Sequence, residues 1–180
     1  MKRVVIFIFL ACIFSVSLFS QGLIRPNRPN RNIDPSPGFI TINEINVGYG
    51  LAGSTQPYSS GFYGFSTLNA YQVNEMFLVG GGTGLLFFKE GLLVPLYVDM
   101  RLRIRISRFT PFASGAGGLL LNPSDFDKGT RMFINPTAGV RYTMNRNLGF
   151  TLGGGLWIQM GPNIGRSSFI NARIGVVYKL

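Results

Sequence analysis

From Phe39 to the C-terminus the chain alternates between apolar and polar positions with a period of two, interrupted at intervals by turn-forming residues. Segment 92–106 shows this most fully. Leu92, Val94, Leu96, Val98, Met100, Leu102, Ile104 and Ile106 fall on one face, and Leu93, Pro95, Tyr97, Asp99, Arg101, Arg103 and Arg105 on the other. Successive side chains of a strand point to opposite sides, so the segment predicts a strand with one greasy and one charged face. The C-terminal segment sets Ile170, Ala172, Ile174, Val176, Tyr178 and Leu180 against Asn171, Arg173, Gly175, Val177 and Lys179. Near the start, Ile45, Val47, Tyr49 and Leu51 alternate with Glu44, Asn46, Gly48 and Gly50. Phe150, Leu152, Leu156 and Ile158 do so with Gly149, Thr151, Gly153, Gly155, Trp157 and Gln159. No stretch keeps a capped 3.6-residue period.

The pattern predicts eight strands, at about 39–52, 61–73, 76–88, 92–106, 110–121, 131–143, 148–160 and 168–180. The second, third and fifth are apolar or Gly-rich on both faces, which leaves their facing open. Each is long enough for the ~9–11 residues that cross a bilayer at a tilt, and an even count suits a closed membrane barrel. Asn74-Glu75, Ser107 to Phe109 and Met144 to Asn147 read as tight turns. Gly53 to Ser60, Asn122 to Thr130 and Gly161 to Ser167 read as longer loops on the other side, where only Lys89 to Gly91 is short. Both termini then fall on the tight-turn side. Tyr71, Phe77, Phe109, Tyr142, Phe150 and Tyr178 flank that side as an aromatic girdle would. The rival is a soluble lipocalin-type barrel, apolar inside and polar outside. Eight consecutive apolar outward positions on the fourth strand would be an aggregation hazard in water and are at ease in lipid.

Composition narrows the chemistry. Charged residues are 13% of the 180, about half the ~25% of soluble domains. There is no histidine and one cysteine, Cys12, so neither a His-based triad nor a His/Cys metal site can be built. No cofactor, metal or catalytic residue is expected. Lys2 and Arg3, the apolar run Val4 to Phe19 and small Ser20 read as a secretory signal peptide over 1–20; the alternative is an uncleaved anchor, for which the run is short. Its removal lowers the net charge from +10 to +8. Residues 21–38 repeat Arg-Pro-Asn and read as an extended periplasmic tail, a spacer or a basic hook for an anionic partner. In an exported chain the basic excess does not point to nucleic acid.

The residues resemble the small outer-membrane β-barrels of OmpA/OmpX type, and most nearly the PorT-like barrels of Bacteroidetes. The segments carrying the resemblance are 63–72 (Tyr-Gly-Phe-Ser-Thr-Leu-Asn-Ala-Tyr-Gln), 93–101 (Leu-Val-Pro-Leu-Tyr-Val-Asp-Met-Arg) and 133–136 (Phe-Ile-Asn-Pro). Arg173, Gly175, Tyr178 and Leu180 are similar to the C-terminal insertion signal of such barrels, with Leu where Phe is commoner. The resemblance spans 39–180. It implies an up-and-down transmembrane barrel in the cell outer membrane of a Gram-negative organism. Its implied partners are outer-membrane lipid, lipopolysaccharide and the barrel assembly machinery, with any protein partner open.

Two glycine motifs fail as nucleotide sites. Gly48-Tyr49-Gly50-Leu51-Ala52-Gly53 fits G-x-G-x-x-G but precedes a loop, and Gly80-Gly81-Gly82-Thr83-Gly84 lacks the following Lys-Ser/Thr. Glycines that make room for bulky neighbours in a narrow barrel explain both. The inward charges are the remaining candidates. Glu44 and Asp99 share the expected lumen with Arg101, Arg103, Arg105, Arg131, Arg141, Arg173 and Lys179. The reading is a structural network that neutralises buried charge, because eight strands leave an interior just wide enough for side chains. The alternative is a basic vestibule at the tight-turn end that holds or conducts an anion. The expected function is thus a structural, envelope-maintenance or interaction role, with no enzymatic activity.

Overall fold

The computed structural model describes residues 37–51, 60–89, 91–104, 108–123, 130–161 and 164–180. The expected signal peptide, and the tail up to residue 36, lie outside the described residues. The strands are β1 (Gly38–Gly50), β2 (Gly61–Gln72), β3 (Phe77–Phe88), β4 (Gly91–Arg103), β5 (Phe109–Leu121), β6 (Arg131–Thr143), β7 (Leu148–Gly161) and β8 (Ile164–Lys179). Each pairs antiparallel with its chain neighbour, and β1 closes on β8 from Ile40↔Lys179 to Gly50↔Phe169, giving an eight-stranded barrel. Closure pairs every strand on both sides, which removes the exposed edges an open sheet would carry.

Two boundaries differ from the sequence reading by more than two residues. β4 ends at Arg103, and Arg105 lies outside the described residues. β8 starts at Ile164, so the loop expected over 161–167 shrinks to residues 162–163. The ladder runs on through Gln159↔Ser167 and Ile158↔Ser168, with a bulge between Gln159 and Gly161. Gly165, Arg166 and Ser167 look like loop residues by composition, but backbone pairing needs no apolar side chains.

The tight side is held locally. Asn74 Oδ1 accepts the N–H groups of Met76 and Phe77 at 2.9 and 2.7 Å, a side-chain turn that reverses the chain between β2 and β3. On the other side Gly91, at φ +146°, opens β4 in a backbone region glycine favours. Pro95 and Pro136 lie inside strands. Pairing between β3 and β4 lapses between Thr83↔Leu96 and Leu86↔Leu93, and between β6 and β7 from Ile134↔Ile158 to Thr137↔Gly155. A residue without an N–H cannot donate there, and the register resumes unchanged beyond it.

The facing of β2, β3 and β5 is now explicit. Phe62, Ser66, Leu68 and Gln72 of β2, Leu78, Leu86 and Phe88 of β3, and Phe112, Ser114 and Leu120 of β5 turn inward. Phe62, Leu86, Phe88, Leu93, Leu120, Phe133, Trp157 and Phe169 form one apolar cluster inside the barrel. Ile40, Ile42, Leu68, Ala70, Leu78 and Val177 form a second, and Tyr97 packs against both. The outer surface is also apolar: Phe39, Ile45, Tyr49, Tyr63, Leu102, Phe109, Leu152 and Ile174 are among the exposed side chains.

Candidate functional site: the charged lumen

β1 and β4 each place a carboxylate inward by alternation. Glu44 sits opposite Gly175 of β8 and Ser66 of β2, and Asp99 opposite Gly80 of β3 and Ala116 of β5. Arg101, one inward step beyond Asp99, links the two acids. It binds Glu44 in a two-pronged fork, Nη1 to Oε1 at 3.0 Å and Nη2 to Oε2 at 3.2 Å. Its Nε and Nη2 also reach Asp99 Oδ2 at 3.2 and 2.9 Å. The guanidinium lies 5.5 Å from the centre of the Phe112 ring, a stacking contact open to arginine's planar head. Arg173 approaches from β8, with Nη1 3.4 Å from Glu44 Oε2 and 3.8 Å from Asp99 Oδ2. Its Nη2 donates to Ser114 Oγ at 2.6 Å.

Glu44, Asp99, Arg101 and Arg173 are all buried, so each ion would be costly alone. Mutual pairing offsets that cost. Glycines let the side chains come close: a Cβ at Gly175 would stand 2.6 Å from Glu44 Cγ, and one at Gly82 would overlap the Tyr97 ring. Asn46 Nδ2 donates to Ser66 Oγ at 2.9 Å beside the network.

The other expected lumen residues sit apart. Arg103, Arg141 and Lys179 turn inward toward the tight-turn end, where Arg103 Nη2 lies 3.5 Å from the Asn74 carbonyl. Arg131 is buried at the opposite end, beside Gly161. Of the C-terminal quartet, Arg173 and Gly175 belong to the network, whereas Tyr178 and Leu180 face outward. Lys179 N–H donates to the Asn147 carbonyl at 2.7 Å, and Leu180 N–H to the Phe39 carbonyl at 3.0 Å, so the last residues complete the seam.

Sequence reasoning missed the aromatic plug between the network and the loop end. Trp157 stacks on Phe133 at 4.1 Å with planes 8° apart, and Phe62 packs at 5.0–5.5 Å from Phe88, Trp157 and Phe169. Trp157 was legible as inward from β7; Phe62 and Phe88 lie on strands apolar on both faces. The cleft lined by Asn46, Ser66, Tyr97, Asn135, Trp157 and Arg173 has room for about one water. Among the described residues no group of three potential metal ligands occurs. The arrangement holds charge in place beside a packed aromatic cluster.

No protein-family model and no curated protein matches the sequence. Solved structures do match in fold. Neisserial surface protein A superimposes with a TM-score of 0.61 at 14% identity, covering 81% of this chain and 99% of that one. OprG, an outer membrane protein of Pseudomonas aeruginosa, gives 0.52 at 11% identity, covering 84% and 99%. A de novo designed transmembrane β-barrel gives 0.50 at 17%, covering 82% and 100%. At such identities what is shared is architecture: the chain has the closed antiparallel barrel fold of these proteins.

Proposed function

We propose that this chain is an integral outer-membrane barrel, closed by its own side chains, with a structural, envelope-maintenance or interaction role. One observation carries the reading: a closed barrel with ions inside wears an apolar belt outside. The outward residues of β4 to β7, and of β8 from Ile170 on, are apolar or glycine, save Tyr142 and Tyr178 at the girdle. On β1 the belt runs from Phe39 to Tyr49. Ten steps of ~3.3 Å at a ~40° tilt span about 25 Å, the height of an outer-membrane barrel's apolar band. Aromatic pairs mark both rims, Phe39–Tyr71 and Phe109–Tyr142 on the tight-turn side and Tyr63–Phe87 on the other.

In this reading residues 1–20 direct export, 21–38 form a periplasmic tail, and both termini face the periplasm. Arg173, Gly175, Tyr178 and Leu180 present the insertion signal to the barrel assembly machinery, and the outer rim meets lipopolysaccharide. The segments 63–72, 93–101 and 133–136 support a PorT-like barrel within the class. A non-enzymatic role agrees with a chain that has no histidine and a single cysteine.

The test is fractionation together with gel mobility. The protein should pellet with outer membranes and shift mobility on boiling in mild detergent; recovery in the soluble periplasm without detergent would refute the reading. In planar bilayers the plugged lumen should give no stepwise conductance. A second reading, an anion-holding vestibule, is favoured by the excess of inward cations. Among the described residues, Arg101, Arg103, Arg131, Arg141, Arg173 and Lys179 are buried with two buried carboxylates, Glu44 and Asp99. Reproducible anion-selective steps would favour it.

A further inference from the structure

The belt has one exception, confined to three adjacent strands. Thr41 and Asn43 of β1, Thr67 and Asn69 of β2, and Thr83 of β3 all point outward. Asn43, Thr67 and Thr83 sit near mid-height: on β2, Thr67 is midway between the rim residues Tyr63 and Tyr71, and Asn43 pairs with it directly; Thr41 and Asn69 lie one outward step inside the Phe39–Tyr71 rim pair. Four of them form a quartet. Thr41 Oγ1 donates to Asn69 Oδ1 at 2.9 Å, and Thr67 Oγ1 to Asn43 Oδ1 at 2.8 Å. Both amide oxygens thus receive a hydroxyl, while neither Nδ2 meets a protein acceptor among the described residues. Asn43 and Asn69 are exposed, so these amide N–H donors face whatever surrounds the barrel. In water that would be ordinary. In the middle of a hydrocarbon layer nothing accepts them, and unmet polar groups there are costly.

We propose that this quartet is the contact through which two copies of the chain pair side by side in the membrane; the inference rests on the membrane reading above. The reason for choosing a second copy is complementarity. In the β1–β2 register Thr41 pairs with Asn69, Ile42 with Leu68, and Asn43 with Thr67. The quartet carries both the N–H donors that lack acceptors and hydroxyl and carboxamide oxygens that can accept them, so it holds both halves of the hydrogen bonds it lacks. Copies inserted in one orientation meet through a two-fold along the bilayer normal. Such a meeting sets each carboxamide against a hydroxyl or another carboxamide, and both can accept an N–H. Gly81, opposite Asn69 on β3, leaves a recess: a Cβ there would have no neighbour nearer than 3.9 Å. Acyl chains offer no acceptor, and headgroups lie at the rims.

The test uses the full-length protein in a Cys12→Ser background. Folded wild type should sediment as a concentration-dependent dimer in density-matched micelles. The N43L/N69L variant should keep its boiling-dependent mobility shift yet dissociate roughly 10- to 100-fold more readily, as expected for losing a few hydrogen bonds within a membrane. In outer membranes, Thr67→Cys, which keeps both carboxamides and lies within half a strand spacing of the two-fold, should give disulfide-linked dimers under a lipid-soluble oxidant, whereas Gly115→Cys on the far side should not. A wild type monomeric at all concentrations, an undiminished variant dimer, equal crosslinking at both positions, or crosslinking at Thr67→Cys to a different protein would each overturn the pairing. Loss of the mobility shift in wild type itself would overturn the membrane reading instead.

Discussion

Replacing Glu44 with glutamine probes the lumen most directly. Glu44 uses both oxygens, taking the Arg101 fork at 3.0 and 3.2 Å and Arg173 at 3.4 Å. Asp99 uses only Oδ2; its Oδ1 has no hydrogen-bond partner. Glu44→Gln leaves two buried guanidinium ions sharing one carboxylate. Removing one partner of a buried ion pair costs about 3–5 kcal/mol. Asp99→Asn should cost less, because an amide can still accept from Arg101 while its nitrogen takes the place of the unpartnered oxygen. Arg101→Met combined with Glu44→Gln should cost less than the two changes summed, with a coupling of about 1–3 kcal/mol for groups in direct contact. Trp157 is the only tryptophan and lies buried in the lumen, so its fluorescence reports equilibrium unfolding of the refolded barrel in urea. A cost for Glu44→Gln below about 1 kcal/mol, or an Asp99→Asn cost at least as large, would refute the idea that Glu44 is the central counter-charge.

Gly82→Val forces a side chain into the Tyr97 ring and should destabilise the barrel by at least about 1–3 kcal/mol in the same urea titration, whereas Gly115→Val, facing open space outside, should cost less. Deleting Tyr178 to Leu180 removes the Leu180–Phe39 backbone bond at the β1–β8 seam and the Lys179–Asn147 bond to the turn before β7, and should lower the assembled fraction on unboiled gels. Phe133→Ala removes the ring stacked on Trp157; the tryptophan emission should shift to the red and acrylamide quenching should increase.

Much of this architecture was written in local pattern. A strand's alternation is set by its own backbone, so segment 92–106 alone placed Asp99, Arg101 and Arg103 on one side and the greasy run on the other. Glu44, Trp157, Arg173 and Lys179 were placed inward on the same ground. Where both faces were apolar, as with Phe62, Phe88 and Phe112, alternation carried no information, and the plug stayed hidden until closure gave each strand an inside. The start of β8 differs because Gly165, Arg166 and Ser167 look like a loop, whereas pairing of Ser167 with Gln159 makes them strand.

Partnership is a different kind of fact from facing. That Arg101 grips Glu44, 57 positions earlier, and that Ser114 meets Arg173 depend on which strands stand across a narrow lumen. The same holds outside the barrel. Thr41, Asn43, Thr67 and Asn69 are unremarkable polar residues on two separate strands until register sets them in one quartet. Strand number, the apolar belt and the inward charge are legible residue by residue, because each follows from short-range periodicity. Which charges pair and which polar residues gather outside emerge with the folded barrel, because both depend on register and closure, which join residues far apart in the chain.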